Sequence, residues 1–282
     1  MSRIIVTGAA GFVGKHLVKK LKNTDYEVIE VTRKYGEITE ATTWNNLPRA
    51  DVVVHLAAKS FVPESWISIS EFLSCNLGGT IEALNYCKSR NSKLVYISSY
   101  LYGNPKKLPI TESDELFVNN PYALTKKMAE EACQFYADNL GVPVTILRPF
   151  NVYGVGQSDQ FLIPSLIKQI ITQNEIHVKD IIPKRDYLYI EDLTSAIAKA
   201  INYQTNFDIF NIGSGVSHSV KDLIDIIQYT AGTSYPVYSE SSRRKNEIMD
   251  TIADISHAKK LLNWEPLWSL NEGIKETLNK LR

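Results

Sequence analysis

The chain has 282 residues, enough for one large α/β domain or a domain with a smaller appendage, and for a substantial buried core. Its 31 Lys+Arg balance 31 Asp+Glu, which speaks against nucleic acid as a partner, while 44% hydrophobic and 22% charged residues are ordinary for a globular protein. Three cysteines (Cys75, Cys87, Cys133) without a CxxC predict buried, reduced thiols. Five histidines without metal-site spacing predict no structural zinc, and the lack of a membrane-length apolar run or a signal-peptide core predicts a cytoplasmic protein with no membrane contact.

The first predicted element is a buried strand, Arg3 to Thr7. Gly8, Gly11 and Gly14 come next at intervals of three, and Leu17, Val18 and Leu21 then recur at helical spacing. Strand, glycine turn and helix form the arrangement that lets main chain approach a pyrophosphate at a helix N-terminus. The spacing is GxxGxxG rather than GxGxxG, and such turns also serve packing alone, so the remainder of the chain has to support a nucleotide site.

A second strand, Tyr26 to Thr32, runs into Thr32-Arg33-Lys34. An acidic residue closing this strand suits NAD, because a carboxylate accepts the ribose hydroxyls. The hydroxyl and two cations found here suit the 2′-phosphate of NADP better, with NAD kept open because Glu30 is near and a basic turn can simply be solvated. Between Arg33 and Asp51 there is little room for a full crossover helix and a further strand. A third strand, Asp51 to Leu56, leads into Ala57-Ala58-Lys59, whose small residues admit a flat cofactor or pack the core. A long helix is predicted over Glu64–Arg90, with Phe72, Leu73, Asn76, Leu77, Thr80, Ile81, Leu84 and Cys87 facing inward.

A fourth strand, Lys93 to Ile97, ends in Ser98-Ser99-Tyr100-Leu101-Tyr102-Gly103. Asn119-Asn120-Pro121 opens a helix that Gly141 closes, and Val142 to Leu147 is a fifth strand. Helical stretches near 161–172, 191–203, 220–231 and 271–281, with a strand at 207–212, complete the chain. Strands alternating with helices predict an α/β fold, a Rossmann-like doubly wound parallel sheet over 1–150. Residues 151–282 are expected to be mainly a smaller C-terminal α/β substrate lobe, with some segments returning to the sheet.

The chemistry is carried by Ser99, Tyr122 and Lys126. YxxxK puts phenol and ammonium on one helical face, where the cation is expected to lower the phenol's pKa toward working pH, aided by the positive nicotinamide ring when the cofactor is oxidised. Ser99 at a strand end holds a substrate oxygen beside the phenol, making a proton relay at a carbinol carbon. A second YxxxK, Tyr102 to Lys106, contains Gly103 and Pro105 and cannot be regular helix.

These motifs resemble the extended short-chain dehydrogenases/reductases of the NAD-dependent epimerase/dehydratase family, which act on nucleotide-activated sugars. The likeness runs through TGAAGFVG, HLAA, NLGGT, SSYLYG, YALTK, RPFNVYG, RDY (Arg185–Tyr187), NIGSG, RRKNEI and LLNWEP. It implies a seven-stranded parallel sheet and a dimer joined through the long helices. Gly8, Gly11, Phe12, Val13 and Gly14 would cradle pyrophosphate, Thr32 and Arg33 would meet the adenosine ribose, and Leu56, Ala57, Ala58 and Lys59 would line the cofactor with Tyr122 and Lys126. Ser99, Tyr100, Asn151, Arg185 and Arg244 match substrate positions, the arginines suiting a diphosphate through their planar fork. A shorter loop after Ser99 leaves Ser98 as a rival hydroxyl. Tyr100-Leu101 replace the Asp-Glu pair of the family's 4,6-dehydratases, which speaks against water elimination. The expectation is an NADPH-dependent reductase of an NDP-4-keto-6-deoxyhexose in nucleotide-sugar biosynthesis. The alternatives are an NAD-dependent 4-epimerase and a non-catalytic cofactor-sensing protein.

Overall fold

The computed structural model describes residues 2–240 and 247–281, so Arg243 and Arg244 lie outside the described residues. The chain runs β1 (Arg3–Thr7), α1 (Phe12–Leu21), β2 (Glu27–Val31), α2 (Ala41–Asn45), β3 (Val52–His55), α3 (Val62–Ser65), α4 (Ile69–Leu73), α5 (Gly79–Arg90), β4 (Lys93–Ile97), α6 (Pro121–Leu140) and β5 (Val144–Pro149). Then come β6 (Asn151–Tyr153), α7 (Leu162–Thr172), β7 (Ile176–Val178), β8 (Lys184–Tyr189), α8 (Ile190–Asn202), β9 (Phe207–Ile212), β10 (Ser217–Ser219), α9 (Val220–Ala231), β11 (Val237–Ser239) and α10 (Leu270–Asn279).

The central sheet is parallel, in the order β2-β1-β3-β4-β5-β9. Alternation along each strand serves two cores. Ile4, Val6, Val54, Val95 and Leu147 face α1 and α8, where Leu17, Val18, Leu21, Ile197 and Ile201 meet them. Ile5, Val53, Leu94, Tyr96 and Ile146 face the other layer, against Trp44, Leu84, Cys87, Ala129 and Cys133. Burial on both faces is why these strands read as unbroken apolar runs. Because strand order reverses beside β1, a crevice opens at the carboxyl ends of β1 and β3, the place where doubly wound sheets bind ligands.

Six strands, not seven, make this sheet among the described residues. The short unit after β2 is the reason: Arg33–Tyr35 form a 3₁₀ turn, α2 has five residues, and Thr43 and Trp44 bury it without adding a strand. The single helix expected over Glu64–Arg90 is also corrected. Ser68, with ψ 54°, separates α3 from α4, and a π-helical turn, Ser74–Gly78, joins α4 to α5. Phe72, Asn76, Thr80, Leu84 and Cys87 are nonetheless its buried face.

Helix α6 has the expected ends. The Asn120 side chain accepts from the Ala123 amide, Pro121 opens the first turn, and Gly141 closes it at φ 68°. The strand at 207–212 is β9, the sixth member of the central sheet, whereas β6, β8 and β10 form a separate three-stranded sheet and β7 and β11 a parallel pair. Among the described residues no helix is long and apolar enough to cross a membrane.

Candidate active site

The glycine turn between β1 and α1 is built for close approach. Gly8 has φ +66°, and a Cβ there would stand 2.8 Å from the Ala57 nitrogen; one on Gly14 would stand 2.7 Å from Ala9 Cα. No side chain caps α1 at Gly11, so the first amides of this ten-residue helix, those of Phe12, Val13 and Gly14, are left for a ligand at its positive end. A turn packed this closely, leading into an uncapped helix N-terminus, fits a dinucleotide's pyrophosphate.

Thr7 fastens the neighbouring strand end. Its hydroxyl oxygen accepts from the amides of Leu56 and Ala57, at 3.1 and 3.2 Å. The hydroxyl proton therefore goes to His55 Nδ1, 2.9 Å away, which fixes the tautomer that carries its proton on Nε2. His55 is fully buried, and desolvation pushes its pKa down to about 3, so it stays neutral. Leu56 and Ala57 are half-buried and Ala58 is exposed beside the turn. Lys59 follows them beyond the end of β3. Its ammonium is paired with Glu64 (3.1 Å) and Glu71.

At the end of β2, Thr32 caps the 3₁₀ turn by accepting from the Lys34 amide, and Arg33 and Lys34 are exposed. Glu30, the carboxylate that could have turned toward a ribose, pairs with Lys22 at 2.6 Å.

Ser99, Tyr122 and Lys126 come together at the carboxyl end of β4. The Ser99 side chain neighbours the half-buried Tyr122 phenol and favours its ionised form. Ser98, the rival, is buried, and its hydroxyl has no partner among the described residues. Lys126 donates to the Ile97 carbonyl at 2.7 Å and lies 4.6 Å from the centre of the Tyr96 ring. Burial lowers Lys126 to about 8, opposed by Glu130. Burial also raises the Tyr122 phenol above its ordinary value, with Ser99 pulling the other way. Lys126 is not among the causes of that shift, its ammonium being engaged by a carbonyl and an aromatic face; the lowering expected of it concerns the site with an oxidised cofactor bound. The phenol rests protonated.

Tyr102, by contrast, is locked in a buried network. Arg148 donates to Tyr102 at 2.8 Å and to both Glu130 oxygens, and Tyr102 donates to Asn211 at 2.6 Å. Lys106 is exposed and paired with Glu115, so the second YxxxK shares no face.

Beyond Ser99 in the chain, Tyr100 packs on Phe150 and Tyr102 and feels the charge of Arg185. Arg185 is held by Glu247 (2.6 Å) and by the Ile248 and Lys184 carbonyls. Asn151, in register with Tyr187, donates to the Asp186 carbonyl at 3.1 Å. These three of the sequence-predicted substrate residues therefore belong to one region.

Two organising residues went unassigned in the sequence. Asn76, 1% exposed, accepts from the Lys59 amide and donates to the Lys59 carbonyl and to Thr125 Oγ1, tying the β3 end to α6. An asparagine on a buried helical face was its signal. Asp186, fully buried, accepts from Ser214 N, Ser214 Oγ, Gly215 N and Ala253 N. A carboxylate inside an aromatic strand, RDYLY, was the sign there.

The family model for NAD dependent epimerase/dehydratases matches residues 4–213. The chain is 30% identical to GDP-6-deoxy-D-mannose reductase of Pseudomonas aeruginosa, the match covering 98% of this chain and 96% of the relative. It superposes on RMD from Pseudomonas aeruginosa, solved with NADPH, at a TM-score of 0.92, with 30% identity and 99% and 98% of the two chains covered. UDP-glucose 4-epimerase from Thermotoga maritima, solved with UDP-glucose, gives 0.93 and 29% with the same coverage.

Proposed function

Because the chain belongs to the NAD dependent epimerase/dehydratase family, we propose that it is an NADPH-dependent reductase acting on the 4-keto group of a nucleoside-diphosphate 4-keto-6-deoxyhexose. The observation that carries this reading is the end of β2. Arg33 and Lys34 stand exposed there while Glu30 is committed to Lys22, a setting that attracts a 2′-phosphate and offers no carboxylate to ribose hydroxyls.

Gly8, Gly11, Phe12, Val13 and Gly14 bind the pyrophosphate, Thr32 and Arg33 the adenosine ribose end, and Leu56, Ala57, Ala58 and Lys59 the face of the crevice. When bound, NADPH supplies a hydride to the carbonyl carbon. Ser99 orients the carbonyl oxygen, and the Tyr122 hydroxyl delivers its proton to that oxygen. A phenol raised by burial favours this direction, since it is protonated before the reaction and is not a base at neutral pH. Lys126 would help hold the cofactor and, one helical turn from Tyr122, would favour the phenolate left behind once the cofactor is bound. Arg185, Asn151, Tyr100 and Arg244 hold the nucleoside diphosphate. Apolar side chains exposed on α4 and α6 (Ile69, Leu124, Phe135) favour a homodimer formed through those helices.

Purified protein incubated with NADPH and an NDP-4-keto-6-deoxyhexose is expected to consume the two in equal amounts. The second reading, a 4-epimerase with retained NAD, is favoured by the likeness to the Thermotoga enzyme. It requires interconversion of two NDP-hexoses without added cofactor. If that is what the assay gives, the epimerase reading replaces the reductase.

A further inference from the structure

His16 lies on α1, one turn beyond the glycine cradle, and none of the roles above uses it. Its Nε2 is 2.9 Å from the Val155 carbonyl, and its Nδ1 is 3.3 Å from Glu191 Oε1. A carbonyl and a carboxylate both only accept, so each ring nitrogen has to carry a proton for both bonds to exist. The ring is only 17% exposed, and Phe12 of the cradle packs edge-on against it at 5.7 Å. Val155 belongs to the turn after β6, the strand that begins with Asn151. That turn is pressed onto α8: a Cβ on Gly154 would meet Ile190 Cβ at 3.0 Å.

We infer that His16 is a positioning residue: as an imidazolium it clamps the turn after β6, and with it the substrate strand, onto the dinucleotide helix. The charged groups facing it are Glu191 at the start of α8, Lys20 on α1, 3.8 Å from Glu191, and Lys280 beyond α10. Glu191 dominates: its hydrogen bond raises His16 above the ordinary imidazole value, while burial and Lys280 oppose, and His16 in turn lowers Glu191. Raising the pH through the His16 titration removes one proton from the ring. One of the two acceptors then faces a lone pair, and the turn is released.

The test uses two readouts on the full chain. Long-range proton–nitrogen spectra of the imidazoles, with His16 assigned from His16→Gln, report its protonation. Amide exchange of Gln157, which bonds to Gly154 O within the turn, reports the clamp after correction for the intrinsic pH dependence. The expected result is a doubly protonated ring at pH 7, with Gln157 protection falling at least fivefold as the ring deprotonates. Glu191→Gln, which leaves the imidazole in place, is expected to move both events together to lower pH. A ring that is neutral at pH 7, or a Gln157 amide indifferent to the titration, overturns the proposal. Neither readout requires turnover, so this inference and the reductase reading fail separately.

Discussion

Asp186→Asn isolates what one buried carboxylate does for the substrate side of the crevice. Its Oδ1 accepts from the Ser214 amide and hydroxyl, both at 2.7 Å, and its Oδ2 from the Gly215 and Ala253 amides, both at 3.0 Å. An asparagine keeps one acceptor and turns an NH2 group toward a pair of donors. The less damaging orientation presents that group to Ser214, whose hydroxyl can accept from it and donate to Val216 O, already 3.0 Å away. The Ser214 amide is then left facing a donor. At roughly 1–3 kcal/mol for an unsatisfied buried group, plus the loss of a charge-assisted bond, the substitution is expected to cost about 3 kcal/mol. Gly213 leaves no room for relaxation, because a Cβ there would already lie 2.7 Å from Asp186 Oδ2. Urea unfolding should therefore show a lower midpoint at unchanged slope, and the melting temperature should drop by roughly 6–10 °C. Stability within about 1 kcal/mol of the parent at the same slope would refute the assignment of Asp186 as the organiser of this loop junction.

Tyr122→Phe removes the proton donor but keeps the ring; turnover should fall by roughly 10²–10⁴ with NADPH affinity within about twofold of the parent, as fluorescence titration can show. Undiminished biological activity in that variant would instead favour a non-catalytic sensing role. Arg33→Ala should raise the KM for NADPH by roughly tenfold and leave that for NADH nearly unchanged, the size of one lost charged hydrogen bond. Lys93, 8% exposed, donates to the Ala200 and Tyr203 carbonyls, and burial pulls it from 10.5 to about 8. Between those values the unfolded chain binds the extra proton, so Lys93 makes stability rise with pH; the parent should gain about 3 kcal/mol over Lys93→Met from pH 8 to 10.5, measured by denaturation at each pH.

Much of this architecture is written locally. Ile4 and Val6 oppose Ile5, so the strand's burial on two faces comes from composition alone, and Asn120-Pro121 with Gly141 set both ends of α6. Ser99, Tyr122 and Lys126 could be brought together because a strand end and a helical spacing each fix direction. The features that could not be read depend on partners distant in the chain. The ion pairs of Lys59 with Glu64 and Glu71 could not be foreseen from spacing, and Glu30 looked available until Lys22 claimed it. The burial of Tyr122 was hidden for a related reason. Spacing puts an ammonium on the same helical face, but the burial that raises the phenol is supplied only by the assembled fold.

The π-helical turn at Ser74–Gly78 shows how such distant dependence becomes useful geometry. An extra residue in a helix rotates every later turn about the axis, and here it lies where Asn76 must face two elements at once. Its amide oxygen and nitrogen read both main-chain groups of Lys59, while the nitrogen also reaches Thr125, the residue just before Lys126. Thr125 in turn donates to the Tyr122 carbonyl at 2.8 Å. The β3 end that borders the crevice and the helix that carries phenol and ammonium are therefore registered through one side chain. An unbroken helix over Glu64–Arg90 would satisfy the same hydrophobic pattern with a different rotation of its N-terminal part, and that registration would be lost.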